Sequence, residues 1–205
     1  MANCTLPASL SAIAKLICGV NFEQIVRAAI VRLNDAPTFT DDTTIKTIDE
    51  WVALMAAPDS TKLILTPFFT NHTVPSSEAQ FAEEGTNASI GGAGFYTGEG
   101  PVKPKGQFTG LPSDIQASIK KLVAESAAEL GTARVGIIWI NRFGTLIHKS
   151  GGRAIPFSNF YIGSPGSEGL KSKNISPFGY TLEDGWEEDI VMTEPSFKAL
   201  SALDV

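Results

Sequence analysis

The sequence predicts a mainly β protein of the α+β class. We expect an antiparallel β-sandwich or barrel-like sheet with one flanking α-helix, at about residues 114–130, and a long inserted loop. Most apolar segments are short and are separated by Gly, Pro, Ser and Asn, whereas one segment has an extended helical pattern. Strands and helices do not alternate along the chain, so the pattern of a doubly wound nucleotide-binding fold is missing.

Composition is consistent with one domain spanning residues 1–205. The chain has 205 residues, of which 43% are hydrophobic, enough to bury a full core. Its formal net charge is −6 and its Lys and Arg residues are dispersed, which argues against a surface that grips nucleic-acid phosphates. No apolar run has the length of a membrane span and no signal-peptide pattern is present, so we expect synthesis in the cytoplasm and no membrane contact.

The N-terminal part of the chain offers one ambiguous segment and one predicted strand. Residues 10–17 are apolar and short, so a helix and a strand remain equally open. Residues 24–33 are rich in Ile, Val and Ala and are predicted to form a strand, with a helix as the alternative. Cys4 and Cys18 have no His or Cys neighbours at metal-ligand spacing, so we expect thiols and not a disulfide or a metal site.

A short helix and a strand are predicted next. Thr47 and Glu50 have the spacing of a capping box, and the apolar residues that follow, including Trp51, lie within helical reach of each other until Pro58. We therefore expect a short helix anchored by Trp51. Residues 62–69 are predicted to form a strand, and Pro67 either places it at a sheet edge or ends its regular pairing.

Residues 67–111 form the predicted long loop or arm. They consist largely of Gly, Pro, Ser, Thr and Asn and show no apolar periodicity. Ordering such a segment without burying apolar surface is entropically costly, so we expect it to be disordered in a monomer and ordered against a neighbouring subunit. Its Gly-rich part, residues 91–100, lacks the spacing of a phosphate-binding loop. The aromatic residues proposed to make the inter-subunit contacts are Phe68, Phe69, Phe81, Phe95, Tyr96 and Phe108.

The dominant helix is predicted at residues 114–130. Ser113 is the expected N-cap, Gln116 completes a capping box and Gly131 occupies the C′ position. One apolar stripe would pack this helix on a sheet. The stripe consists of Ile115, Ile119, Leu122, Val123 and Leu130.

The C-terminal part of the chain is predicted to be β-rich. Residues 134–140 and 145–149 are expected to form a hairpin whose turn, Asn141 to Gly144, contains a glycine for the positive φ that such turns require. Three further strands are predicted at residues 154–162, 175–182 and 188–193.

Motifs for serine chemistry occur in the sequence but lack their context. Ser118 and Lys121 match S-x-x-K, and Lys149 to Gly151 resembles the K-T/S-G of penicillin-binding enzymes. However, Ser118 lies inside the predicted helix and not at its start, and the third motif of that family is missing. Residues 165–169 nearly match a nucleophile elbow but lack its leading glycine. We predict no catalytic residue from these matches.

The sequence also gives little indication of acid-base catalysis or of metal binding. The only histidines are His72 and His148, and no trio of nucleophile, base and carboxylate is suggested around either. An acidic cluster follows residue 182 but lacks EF-hand spacing, so we interpret it as a solvated edge. The cluster consists of Glu183, Asp184, Glu187, Glu188 and Asp189. No cofactor and no metal ion are predicted.

The order of elements resembles that of tail tube proteins of tailed bacteriophages. The likeness is one of layout and is carried by the helix at 113–131, the hairpin at 134–149, the closing strand at 188–193 and the loop at 67–111. It involves no diagnostic motif. In that family a β-sandwich carries one helix on its flank and a long loop reaches neighbouring subunits.

The resemblance implies a structural virion subunit that is not an enzyme. It implies hexameric rings, stacked on one another and on other virion proteins, with an acidic lumen through which DNA passes without specific binding. The expected location is the virion, after synthesis in the host cytoplasm. Two other functions stay open: a small enzyme with the Gly-rich loop as a lid, and a ligand-binding module with a concave apolar site.

Overall fold

The computed structural model describes residues 22, 24–33, 38–82, 94–127, 135–167, 169 and 173–203. These residues form eleven strands, three α-helices and one short 3-10 helix, Thr44–Lys46. The strands are β1 (Ile25–Arg32), β2 (Ile64–Leu65), β3 (Phe69–Thr73), β4 (Ala79–Ala82), β5 (Phe95–Glu99), β6 (Lys105–Thr109), β7 (Val135–Asn141), β8 (Leu146–Lys149), β9 (Ile155–Ile162), β10 (Ile175–Leu182) and β11 (Ile190–Thr193). The helices are α1 (Ile48–Ala56), α2 (Ser113–Glu125) and α3 (Ala199–Ala202).

Nine of these strands form one antiparallel sheet, which confirms the predicted fold class. The strand order is β11-β8-β7-β9-β10-β6-β3, with β1 along the other side of β7 and β2 beside β1. Strands β4 and β5 pair only with each other, in a separate two-stranded sheet. The predicted strand at 24–33 and the hairpin at 134–149 are present as β1 and β7–β8.

The large sheet curls so that its two ends approach each other. Strand β3 lies close to β1 although the two are not paired. Thr66 continues the β1–β2 pairing just before the chain enters β3: its N–H donates to Ala28 O at 2.9 Å and its Oγ1 accepts from Ala28 N at 3.0 Å. The sheet is therefore barrel-like.

Two apolar clusters lie on opposite faces of the curled sheet. The inner cluster, enclosed by the curl, includes Trp139, Phe157 and Phe178. The outer cluster includes Trp51 and lies between the sheet and helices α1 and α3. Strand β7 serves both clusters, because side chains alternate along a strand and all of its residues are buried. This explains its continuous apolar sequence.

Two β-bulges redirect side chains in β3 and β9. In β3 the pairing register slips between Thr70 and Thr73, where Asn71 has a φ of 53°. In β9 the register slips opposite Gly179 and Thr181, where Asn159 has a φ of 52°. Asparagine tolerates this left-handed conformation better than most residues, so both bulges fall where the sequence permits them.

The segment 67–111 differs from the predicted structureless loop. Its two ends form β3 and β6, which are part of the large sheet, and its described middle contains β4 and β5. Strands of four or five residues with few apolar side chains give too little periodicity to be recognised in a sequence. Residues 83–93, including the start of the Gly-rich part, lie outside the described residues.

Several predicted boundaries need correction. The strand expected at 62–69 is interrupted around Pro67, leaving β2 before it and β3 after it. Helix α1 has Trp51 fully buried, as expected, but Thr47 makes no side-chain cap because its hydroxyl donates to Thr44 O at 2.8 Å. Helix α2 begins at Ser113, with Pro112 at the N-cap, and ends at Glu125 and not at residue 130. The predictions for residues 10–17, for both cysteines and for Gly131 lie outside the described residues.

Candidate functional site

A two-stranded arm lies between β3 and β6 in the chain and is not paired with the large sheet. We define the arm as residues 78–100, which contain β4 and β5. Gly100 N–H donates to Glu78 O at 2.7 Å, and this hydrogen bond joins the two ends at the base. None of the described arm residues belongs to the inner or the outer cluster. The arm is therefore ordered by its own pairing and not by burial in the core.

The arm exposes large aromatic side chains. Phe81, Phe95 and Tyr96 are 53%, 57% and 60% exposed. Phe81 pairs with Tyr96 across the two strands, with ring centroids 6.0 Å apart. Phe95 precedes Tyr96 in the same strand and so points to the opposite face. Both faces of the arm thus present aromatic surface to solvent.

The six aromatic residues predicted for assembly divide into two groups. Phe68, Phe81, Phe95 and Tyr96 are exposed. Phe69 and Phe108 are instead buried in the inner cluster, where they face each other in the β3–β6 pair with centroids 6.0 Å apart. The prediction is wrong for these two residues, because they lie on strands of the large sheet with their side chains directed inward.

An apolar groove lies between α2 and the segment 64–68. Its volume is about 630 Å³. Ile30, Phe108 and Phe160, all buried, form its floor. Its walls are Ile64 to Phe68 on one side and Ile115, Ile119 and Leu122 of α2 on the other. No signal in the sequence indicated the groove, because it results from the distance between two elements that are far apart in the chain.

The walls of this groove are unusually exposed for apolar residues. Ile64 is 57% and Phe68 49% exposed, and no residue of α2 is fully buried. The predicted apolar stripe of α2 therefore does face the sheet, but it is only partly covered. Leu130, the last residue predicted for the stripe, lies outside the described residues.

Arg27 lines one end of the groove. Its Nε donates to Thr66 O at 2.8 Å and its guanidinium carbon lies 4.9 Å from the centre of the Phe68 ring. This arrangement is a cation–π contact, which keeps the Phe68 ring at the mouth of the groove. Arg27 is itself buried.

His72 is inserted into the aromatic core. Its Nε2 lies 3.0 Å from Tyr180 Oη, which also accepts a hydrogen bond of 2.8 Å from Trp139 Nε1. Within the described residues, His72 Nδ1 is buried and has no hydrogen-bond partner. Burial lowers the pKa of His72 from 6.5 to about 4 and raises the pKa of the Tyr180 hydroxyl. Both groups are therefore neutral near pH 7 and pack as core residues.

His148 is fully buried on β8, beside its pairing partner β11. Its Nδ1 lies 2.7 Å from Lys149 O, and since a carbonyl can only accept, Nδ1 carries the proton. Its Nε2 then accepts from Thr193 Oγ1 at 2.9 Å. Burial lowers the pKa of His148, against the opposing effects of the Lys149 carbonyl and of Asp42. Both ring nitrogens are thus occupied within the protein.

The remaining motifs have structural explanations. Ser118 is exposed on α2 and its hydroxyl donates to Asp114 O at 3.0 Å, a hydrogen bond back along the helix. The acidic cluster lies in the turn between β10 and β11. Among the described side chains, no group of three or more His, Cys, Asp or Glu residues is arranged to hold a metal ion. No helix in the described part of the chain is long and apolar enough to cross a membrane.

The fold and these surfaces define a mainly β protein with an exposed aromatic arm and an open apolar groove. No family model, no curated protein and no solved structure matches the chain. Its function is therefore inferred from its own residues.

Proposed function

We propose that this chain is a non-catalytic structural subunit that assembles with copies of itself through the arm. From the resemblance in layout to phage tail tube proteins, we infer that the subunits form hexameric rings. These rings would stack in a virion, contact other virion proteins and enclose a conduit for DNA. The proposal does not require a cofactor.

One observation carries the proposal, the exposed aromatic surface of the arm. Phe81, Phe95 and Tyr96 are brought together by the β4–β5 pairing, yet belong to neither apolar cluster. Clustered exposed aromatic residues are typical of protein interfaces, where Tyr, Trp and Phe are enriched relative to the rest of the surface. A neighbouring subunit would cover these rings and compensate for the cost of ordering the arm.

Sheet edges and net charge are compatible with a ring. Strand β11 pairs only with β8 among the described strands, so one of its edges is available for a neighbour. The formal charge of −6 disfavours DNA binding, which suits a conduit.

The test compares two sets of exposed aromatic residues. Light scattering coupled to size-exclusion chromatography, followed by negative-stain microscopy, is applied to the wild-type chain and to a variant carrying Phe81→Ser, Phe95→Ser and Tyr96→Ser. We expect rings or tubes from the wild type and monomers from the variant. The control is Phe143→Ser, since Phe143 is 80% exposed at the β7–β8 turn and away from the arm, and this variant should assemble normally.

Hydrogen exchange gives a second measure of the same proposal. Amides of the arm should exchange slowly in the assembled particle and quickly in a monomer, because β4 and β5 are short and solvent-accessible. A wild-type chain that stays monomeric at every concentration, or an arm equally protected in both states, contradicts self-assembly through the arm.

A ligand-binding module is the second candidate function. The groove favours it, because its volume of about 630 Å³ and its apolar walls are typical of small-molecule sites. In that case the wild-type chain would remain monomeric and an apolar fluorescent probe would bind with micromolar or tighter affinity. Ile115→Glu, on the wall of the groove, would abolish binding.

A further inference from the structure

We propose that protonation of His72 releases β3 from the large sheet, so that the chain opens locally in mild acid before it unfolds as a whole. Such a switch is a property of the single chain and is independent of self-assembly through the arm. It is also more specific than a loss of overall stability, because one strand leaves while the rest of the sheet stays folded.

Strand β3 is weakly attached to the rest of the protein. It ends the strand order, pairs with β6 alone among the described strands, and lies close to β1 without pairing with it. Its register with β6 is interrupted between Thr70 and Thr73. Of its five residues, only Phe69 and His72 are not exposed. His72 is therefore one of the two side chains that attach β3 to the interior.

The His72 ring fits this position only when it is neutral. Its Nε2 lies 3.0 Å from Tyr180 Oη, whereas Nδ1 is buried and has no hydrogen-bond partner among the described residues. A protonated ring carries a hydrogen on both nitrogens, so its charge would be buried with one donor unsatisfied. The other rings in contact with it are those of Phe69, Trp139 and Phe178.

Within the described part of the chain, no negative charge faces the ring to offset this cost. Burial alone lowers the pKa of His72, to about 4. Strand β7 has no charged residue, and the titratable side chain of β10 is Tyr180, whose pKa is raised by burial so that it stays neutral. Strand β6 carries Lys105, which is exposed, and β1 carries Arg27, whose guanidinium lies over the Phe68 ring.

The bulge at Asn71 makes the release local. Asn71 has a φ of 53°, and its Nδ2 donates to Gln107 Oε1 at 3.0 Å in an exposed hydrogen bond. Because side chains alternate along a strand, a return of Asn71 to an extended conformation turns His72 toward the other face. The arm follows β3 and precedes β6, so after this release it is joined to the large sheet through β6 alone.

The experiment is hydrogen exchange of the full-length chain at pH 7.5 and pH 5.0. Dividing each amide's rate by its intrinsic rate at the same pH gives the opening equilibrium of each strand. The test variant is His72→Phe, which keeps an aromatic ring at this position but does not titrate. His148, whose pKa burial also lowers, is present in both proteins, so its effect cancels in the comparison. Strand β7, whose residues are all buried, is the internal reference.

We expect the opening equilibrium of β3 in the wild type to increase about thirtyfold from pH 7.5 to pH 5.0. This factor follows from a pKa of about 4 in the closed state and of 6.5 in the open state. In His72→Phe the increase should stay below about threefold, because residue 72 no longer binds a proton. At pH 5.0, β7 should remain at least about tenfold better protected than β3 in both proteins.

Two results would overturn the switch. The first is an equal pH dependence of β3 in the wild type and in His72→Phe. The second is equal opening of β3 and β7 at pH 5.0, because acid would then act only through unfolding of the whole chain. If circular dichroism shows that His72→Phe does not fold, the comparison of β3 with β7 in the wild type decides alone. Neither result affects the proposed self-assembly, which the arm variant tests separately.

Discussion

A single bulge in β3 directs His72 into the aromatic core. Because Asn71 and His72 both lie opposite Gly106, the His72 ring lies among Phe69, Phe178, Trp139 and Tyr180 and not in solvent. The hydrogen bond with Tyr180 satisfies one ring nitrogen only. A proton on this ring would be poorly accommodated, which is why its pKa is low.

This burial predicts a loss of stability in mild acid. The pKa of His72 is about 4 in the folded chain and 6.5 ordinarily, so the unfolded chain binds the proton more readily. The stabilising contribution of neutral His72 is complete above pH 6.5 and is lost as the pH falls toward 4; it amounts to about 3 kcal/mol. The lowered pKa of His148 acts in the same direction.

His72→Phe isolates the contribution of His72. Phenylalanine keeps the ring contacts but does not titrate, so the free energy of unfolding should fall less between about pH 7.5 and pH 4.5 than in the wild type, by about 2 kcal/mol. Urea titrations at the two pH values measure this difference. Equal pH dependence in both proteins would show that His72 is not buried in its neutral form.

At the scale of elements, α2 is joined to the sheet by Ser126, the residue that follows it. Its Oγ accepts from Phe160 N at 3.0 Å and its carbonyl accepts from Asn159 N at 2.7 Å. The bulge in β9 removes these two N–H groups from the regular ladder, and Ser126 replaces the missing partners. The same contacts explain why the helix ends earlier than its apolar stripe predicts.

Ser126→Ala should therefore destabilise the chain by about 1–2 kcal/mol, because it leaves the buried Phe160 N–H without an acceptor. The matched control is Ser118→Ala in the same helix, whose hydroxyl is exposed and bonds only to its own helix, so its effect should be within about 0.5 kcal/mol. Urea denaturation of both variants measures the difference. Equal effects would mean that the Ser126 hydroxyl does not support the bulge.

Elements with strong local patterns were predictable, and elements defined by distant partners were not. Strands β1 and β7 have mostly apolar sequences because both of their faces are buried. Strands β3 and β6 each depend on a single buried phenylalanine, Phe69 or Phe108, and on pairing with each other across the arm. The composition of residues 67–111 therefore predicted an arm, but the predicted arm included β3 and β6, which belong to the large sheet.

The candidate site was predictable to a similar extent. The exposure of Phe81, Phe95 and Tyr96 follows from a segment without a core pattern, whereas their role in contacts between subunits stays a prediction. The groove was not, because its walls come from residues 64–68 and from α2, and only the three-dimensional fold sets the distance between them. The partly buried His72 and the fully buried His148 had no local signal for burial, since a bulge and partners from β10 and β11 enclose them.

At the scale of the whole molecule, β1 and β7 connect the two apolar clusters. Along β7, Ile137 and Trp139 belong to the inner cluster whereas Ile138 and Ile140 belong to the outer cluster. Loss of packing in either cluster would therefore expose side chains of β7. We therefore expect both clusters to unfold in one cooperative transition.

The positions of the tryptophans make this expectation testable. Trp51 reports on the outer cluster, and Trp139 and Trp186 report on the inner cluster. In a Trp51→Phe variant, the fluorescence midpoint in urea should coincide with the midpoint measured by far-ultraviolet circular dichroism. The same should hold in a variant carrying Trp139→Phe and Trp186→Phe, whose fluorescence comes from Trp51.

Comparing the two probes within each variant removes the effect of the substitutions on overall stability. If the outer cluster unfolded first, the fluorescence of Trp51 would change at lower urea than the circular dichroism, which the large sheet dominates. That result would mean that α1 and α3 form a separate folding unit. Coincident transitions would instead mean that α1, α3 and the curled sheet fold as one unit, because the two faces of β7 cannot be uncovered independently.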